Sequence, residues 1–210
     1  MKQIYFIRHG QTQWNAIKRM QGQLNSDLNE IGKKQADVSG CFLRDHNLET
    51  LIASPLGRTT ETAEIINQHL NLDLSFDERI KEWHCGEWSG LLWDDLPQTW
   101  PEEWQAYEAD RYHYRGPGCE NFPDMIERVK PFLQDLVNHP ASKIGVVSHG
   151  LIGRVMIATM MHMDETSTMA FRQANDVVYR VSLTESAPTL EHFIEGDGPI
   201  PGWVASDHYP

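Results

Sequence analysis

Three times along this chain a short, nearly unbroken apolar block stops on a small, polar or charged residue. Ile4, Tyr5, Phe6 and Ile7 run into Arg8 and His9, residues 50–54 read TLIAS, and residues 144–148 read IGVVS before His149. Blocks this short are poor helices, and they lack the polar alternation of a half-exposed strand. They fit strands buried on both faces of a parallel sheet. Between them lie segments with helical spacing. Residues 30–46 carry Ile31, Val38, Cys41 and Phe42 on one side, with Leu28 packing just before them. Residues 57–70 place Ala63, Ile66 and Leu70 inward, and residues 121–138 place Ile126, Val129, Leu133 and Leu136 inward. A further helix is expected from Gly150 to about Met161. Strand, helix, strand in alternation predicts an α/β fold, a mostly parallel central sheet with helices on both faces.

Residues 72–76 add a third strand, expected at an edge. Residues 177–183 and 190–193 read as antiparallel strands closing the other edge. Pro123 suits the first turn of its helix, whereas Pro131, inside the same helix, should kink or shorten it. The Gly- and Pro-rich tail, residues 196–210, is expected to hold no regular structure. From Trp83 the texture changes: Trp83, Trp88, Trp93, Trp100 and Trp104 precede Tyr107, Tyr112 and Tyr114, with Pro97, Pro101 and Pro117 interrupting any long helix. This predicts an aromatic-rich insertion over the site. Most of its rings should fill a satellite core, and a few should line a leaving-group pocket.

In an open α/β sheet, ligands bind at the carboxyl ends of the strands. Arg8 and His9 follow the first strand, Arg58 follows the second closely, and His149 follows the fourth. A parallel sheet would bring them to one edge, where guanidiniums and imidazoles suit an anion. A neutral imidazole at His9 can attack phosphorus while Arg8 offers paired donors to phosphoryl oxygens. Gly10 lets the backbone approach that phosphate. Taken alone, Arg8 and His9 read better as the mere cap of a strand.

The run RHGQTQWN, Arg8 to Asn15, resembles the signature of the histidine phosphatase superfamily, the group that includes the cofactor-dependent phosphoglycerate mutases. Arg19, Gln21, Gly22, Asp27, Leu28 and Gly32 follow in that family's order. ASPLGRTTETA from Ala53 resembles its strand end and second catalytic arginine, EWHCGEWSG from Glu82 its acid-bearing block, and VVSHG from Val146 its last histidine. The resemblance implies a three-layer sandwich made by one domain over residues 1–210. It makes His9 the nucleophile, Arg8, Arg58 and His149 the groups that neutralise phosphoryl oxygens, and Glu82 the general acid. Thr12, Asn15, Gln21, Gly22 and Gly150 match positions that bind phosphate or the substrate body. The implied activity is metal-independent hydrolysis of a small phosphorylated metabolite through phosphohistidine, with no cofactor. Phosphoglycerate mutase-type transfer and a phosphate-binding regulator without turnover stay open as alternatives. The stretch from Glu82 to His149 is shorter than in the mutases, which resembles the phosphatase branch. Two departures stand out: Cys119 within Pro117 to Asn121, and Asp176 after Asn175, an acid that could bear on substrate choice if it faces the pocket.

A chain of 210 residues that is 40% hydrophobic is long enough for one substantial core. Its formal charge of -12 argues against nucleic acid or an anionic membrane as partner. A phosphate ester would also be repelled by that mean field, so the converging arginines must reverse it locally, with distant acids screened beyond about 8 Å. Cys41, Cys85 and Cys119 are odd in number and widely spaced, which indicates neither a disulfide framework nor a zinc site. The first strand follows Met1 almost at once and no apolar run reaches a membrane span, so a cytoplasmic protein is expected. A second copy of the chain is a candidate partner. His84, His113 and His162 stand apart from any metal-ligand grouping and read as surface or core histidines.

Overall fold

A computed structural model describes residues 1–204 of the chain. Its sheet is built from β1 (Lys2–Arg8), β2 (Thr50–Ala53), β3 (Leu74–Phe76), β4 (Lys143–Ser148), β5 (Val177–Leu183), β6 (Thr189–Ile194) and β7 (Asp197–Pro201). The strand order is β3-β2-β4-β1-β5-β6-β7. The first four strands are parallel, and β5, β6 and β7 add antiparallel beyond β1. The edge strand β3 is as expected. The strand β7 is not: the tail was read as irregular, yet it pairs with β6, because backbone partners rather than side-chain pattern decide an exposed edge strand. The remainder of that tail, residues 205–210, lies outside the described residues.

Eight α-helices accompany the strands among the described residues: α1 (Gln13–Ala16), α2 (Glu30–Arg44), α3 (Gly57–Leu70), α4 (Leu96–Thr99), α5 (Pro101–Ala109), α6 (Phe122–Asn138), α7 (Gly150–Met160) and α8 (Glu165–Ala170). The period of two in β1 divides them into layers. Ile4 and Phe6 point into a core with α6 and α7, while Tyr5 and Ile7 point into a second core with Leu43 of α2 and Ala63 and Ile66 of α3. Both faces of the strand are therefore dry, and the apolar block without alternation is explained.

One expectation about a helix is corrected. The buried face of α2 is Gly32, Ala36, Ser39, Gly40 and Leu43, whereas Ile31 is 57% exposed and Cys41 is exposed. The helix lies so close to α3 that small residues must face it: a Cβ on Gly40 would overlap the His69 ring and come within 3.2 Å of Ile66 Cα. In α6, Asn121 and Asp124 form a capping box, and the helix runs through Pro131 to Asn138 without being shortened. Pro131 and Glu127, whose carbonyl loses its partner, are both solvent-exposed, so water can satisfy the freed group.

The aromatic excursion forms its own small core. Trp88 is fully buried with Met20, Cys85, Leu96 and Cys119, and Trp93, Trp100, Trp104, Tyr107 and Tyr114 pack around them. No helix among the described residues is long and apolar enough to cross a membrane.

Candidate active site

The chain leaves adjacent strands β1 and β4 toward opposite faces of the sheet, to α2 and to α7 respectively. Such a switch point leaves a crevice beyond the strand ends. Arg8 is in register with Ser148, so the residues that follow, His9 and His149, become neighbours with ring centroids 5.3 Å apart. His9 Nδ1 is 2.7 Å from the Gly10 carbonyl oxygen, and Arg58 Nε donates to His9 Nε2 at 3.2 Å. A carbonyl can only accept and a guanidinium can only donate. Nδ1 therefore carries the hydrogen, and Nε2 presents its lone pair. Burial, then Arg58 and Arg8, push His9 well below its ordinary value, so the ring is neutral. His149 is held the same way by burial, Arg58, His9 and Arg8. Its Nε2 lies 2.8 Å from Ser54 Oγ, and its buried Nδ1 has no hydrogen-bond partner among the described residues. This environment favours the neutral form of His149.

Arg58 is fully buried at the start of α3. Its other guanidinium nitrogens donate to the carbonyls of Leu24 at 2.6 Å and Gly22 at 2.7 Å. Burial lowers it to about 10, which leaves it charged at neutral pH. Arg8 donates to the Gln173 carbonyl at 2.9 Å, and its buried Nε has no hydrogen-bond partner among the described residues. Glu82 approaches from the loop after the first 3₁₀ turn. One carboxylate oxygen accepts from the backbone N–H of Trp83 at 2.9 Å and of Ile152 at 3.0 Å, and the other accepts from Leu151 at 3.2 Å. The carboxylate thus seats on the first turn of α7, where orphan donors and the helix dipole favour an acid.

The family profile described as Histidine phosphatase superfamily (branch 1) matches residues 4–195. The chain belongs to the histidine phosphatase superfamily. It is 32% identical to Phosphoserine phosphatase 1 of Hydrogenobacter thermophilus over 81% of this chain and 82% of that one. It is 34% identical to a Salmonella choleraesuis protein named Probable phosphoglycerate mutase GpmB, over 89% and 87%. Among solved structures, a mycobacterial glucosyl-3-phosphoglycerate phosphatase superposes with a TM-score of 0.78 at 27% identity, over 87% of this chain and 93% of that one. The α-ribazole phosphatase of Shigella flexneri gives 0.86 at 24% identity, over 95% and 100%, and speaks for the fold alone.

Of the other positions matched to the superfamily signature, Thr12, Asn15 and Gln21 bond to one another. Thr12 and Asn15 form the capping box of α1, and Gln21 Nε2 donates to Thr12 Oγ1 at 2.9 Å. Thr12 is fully buried and braces the loop from within. Gly22 takes φ +50°, a left-handed conformation that presents its carbonyl to Arg58. At Gly150 a Cβ would lie 3.0 Å from Arg8 Cζ, so glycine admits the guanidinium to the mouth of α7.

Several supporting residues were not singled out from the sequence. Ser54 orients His149, and Thr62 Oγ1 accepts from Gly10 N–H at 3.1 Å. Asn175 Nδ2 donates to the His9 carbonyl at 2.6 Å. Ser54 carried a faint signal, a serine ending an apolar strand as Ser148 does. Thr62 lies in the same block as Arg58, and Asn175 stands out in the sequence only for the acid that follows it. Asp176 lines a surface groove with Ile31, Lys34 and Phe42 beside α2, and its charge also acts on Arg8. One group of potential metal ligands occurs among the described residues, Asp37, Cys41 and His69 between α2 and α3, and it includes none of the residues around His9.

Proposed function

We propose that this enzyme hydrolyses a small phosphomonoester without a metal, through a phosphohistidine formed at His9 Nε2. The observation that carries this reading is the tautomer of His9: its hydrogen is on Nδ1, its Nε2 lone pair accepts only from Arg58 Nε at 3.2 Å, a contact that an incoming phosphoryl group would take over, and burial keeps the ring unprotonated. In the first half-reaction an N–P bond forms as the ester P–O bond breaks, and Glu82 supplies the proton that the leaving oxygen needs. Arg8 and Arg58 stabilise the equatorial oxygens, with charge-assisted donors where charge accumulates. The neutral His149 contributes a hydrogen bond from Nδ1 once Ser54 donates to its Nε2. In the second half-reaction water attacks phosphorus, the N–P bond breaks, and the proton from water returns to Glu82. The relatives named phosphatases support hydrolysis as the net outcome. The mutase-named relative at 34% identity keeps a second reading in view, in which product reclaims the phosphoryl group before water arrives.

The test is phosphate release from an aryl phosphate, with an alkaline quench that preserves phosphohistidine. His9→Ala should lose about 10³-fold or more in turnover, with no labelled protein, and chelator should leave the parent rate unchanged. Near-parental release by His9→Ala, or a loss in chelator restored by divalent ion, would overturn the proposal. Isomerised substrate in place of free phosphate would select the mutase reading.

A further inference from the structure

We propose that Arg128, paired with Glu120, is the positioning residue for the general acid: its guanidinium grips the backbone around Glu82, and proton delivery to the leaving oxygen fails when that grip is lost. The inference deepens the reading above and rests on it. After the first 3₁₀ turn, Glu78–Ile80, residues 81–84 belong to no helix or strand. Such a stretch has no ladder of its own, yet it carries the carboxylate on which the first half-reaction depends. Its backbone polar groups must find partners elsewhere. A single side chain from α6 supplies many of them. Arg128 Nη1 donates to the carbonyls of Arg79 at 2.7 Å and Lys81 at 2.9 Å, and Nη2 donates to the Glu82 carbonyl at 3.4 Å. The remaining donors go to the Glu120 carboxylate, from Nε at 2.7 Å and from Nη2 at 2.7 Å. A guanidinium has five N–H donors, and every one is used here.

Glu120 closes the clamp on the other side of Glu82. Its carboxylate also accepts from the His84 N–H at 2.9 Å, its N–H donates to the His84 carbonyl at 3.0 Å, and its carbonyl accepts from the Trp83 indole at 2.5 Å. Gln23 Nε2 adds a bond to the Glu82 carbonyl at 3.1 Å. Glu82 is thus held twice, its main chain by the clamp and its carboxylate by the first turn of α7. The side chains of Arg128 and Glu120 are each only 20% exposed, and a bidentate, charge-assisted pair so shielded is a firm anchor. Lysine would keep the charge, but its three donors cannot reproduce the planar fork. A proton donor acts only within hydrogen-bond reach of the atom it serves, and a misplacement of about 1 Å can cost about 100-fold. The charge of Arg128 also acts on His149, so the test must separate charge from placement. If the pair merely tied α6 to the loop, losing it would weaken the fold and slow every substrate alike.

The experiment compares an alkyl with an aryl phosphate on the whole protein, in kcat/KM, which reports the steps up to departure of the leaving oxygen. Only the alkyl ester depends strongly on a proton from Glu82, so the ratio of the two reads the placement of the acid. Arg128→Lys, which keeps the charge, should lower the alkyl value about 10- to 100-fold more than the aryl value. In a Glu82→Gln background the same substitution should add less than about threefold to that contrast, because the group it places is gone. Glu120→Gln should shift the ratio the same way by a smaller factor, and it carries the test if the Lys variant does not fold. Equal losses on both esters, or a contrast that persists undiminished in the double variant, would overturn the inference. Glu82→Gln alone tells the two failures apart. If it discriminates between the esters and neither clamp variant does, the positioning role falls and the proton donor stands. If it does not discriminate, the proton donor itself is lost from the mechanism.

Discussion

In the proposed mechanism a histidine becomes a nucleophile through its neighbours rather than its own chemistry. Gly10 fixes the tautomer of His9, Arg58 faces the lone pair, and Asn175 ties down the backbone, so little reorganisation is left for the reaction. Glu82 is the residue whose role most needs separating from its architecture, because its carboxylate also caps α7. Glu82→Gln removes the proton donor and weakens the cap together. Only a comparison of substrates divides the two effects. A capping role would slow an alkyl and an aryl phosphate by similar factors. A general acid acts mainly on the poor leaving group, so the alkyl ester should suffer about 10²- to 10⁴-fold more, a difference of about 3 to 5 kcal/mol in barrier. Steady-state rates on both esters measure it, and equal losses would remove Glu82 from proton transfer.

Among the elements, α2 shows how packing distance rewrites a sequence pattern. Its large apolar residues suggested one buried face, but its glycines and Ser39 sit on the face that is buried, because α3 and the loop after β1 approach too closely for anything larger. Gly32 is the tightest case that bears on the site. A Cβ there would overlap the Gln11 backbone, just past His9, and Gly10 abuts Gly32 from the other side. Gly32→Ala should therefore cost about 1 to 3 kcal/mol in stability and lower kcat with it, since relief of the clash displaces the loop that sets His9. Urea denaturation and turnover of the same preparation check this. Unchanged values for both would show that the loop yields without strain.

For the whole molecule, two buried neutral histidines make stability depend on pH with a definite sign. Both have folded values well below the ordinary 6.5. The unfolded chain therefore binds protons that the folded chain refuses as pH falls below about 6.5, so the stabilisation is complete above that value and is lost toward acid. Two such groups give a slope of up to about 2.7 kcal/mol per pH unit in that window. Urea midpoints taken from neutral to about pH 5 should fall accordingly, and His149→Gln should reduce the slope by about half. A flat profile in the parent would mean that these rings take up protons in place. The electrostatic tension of an acidic chain with an anionic substrate is resolved locally, because Arg8 and Arg58 stand close enough at the strand ends to act on each other.

The sequence by itself determined the parallel strands and the superfamily, because a strand buried on both faces must be a continuous apolar run and because four signature blocks occur in order. It also determined which residues stand at the strand ends, since that follows from where each apolar run stops. Tertiary structure alone decided which of them meet. His9 and His149 are adjacent because β4, not β2, pairs with β1, a choice that backbone hydrogen bonds and layer packing make and no local pattern records. It also decided the buried face of α2 and the pairing of β7. Each depends on how closely another part of the chain approaches, and that distance is set by the packed layers rather than by any residue's neighbours in sequence.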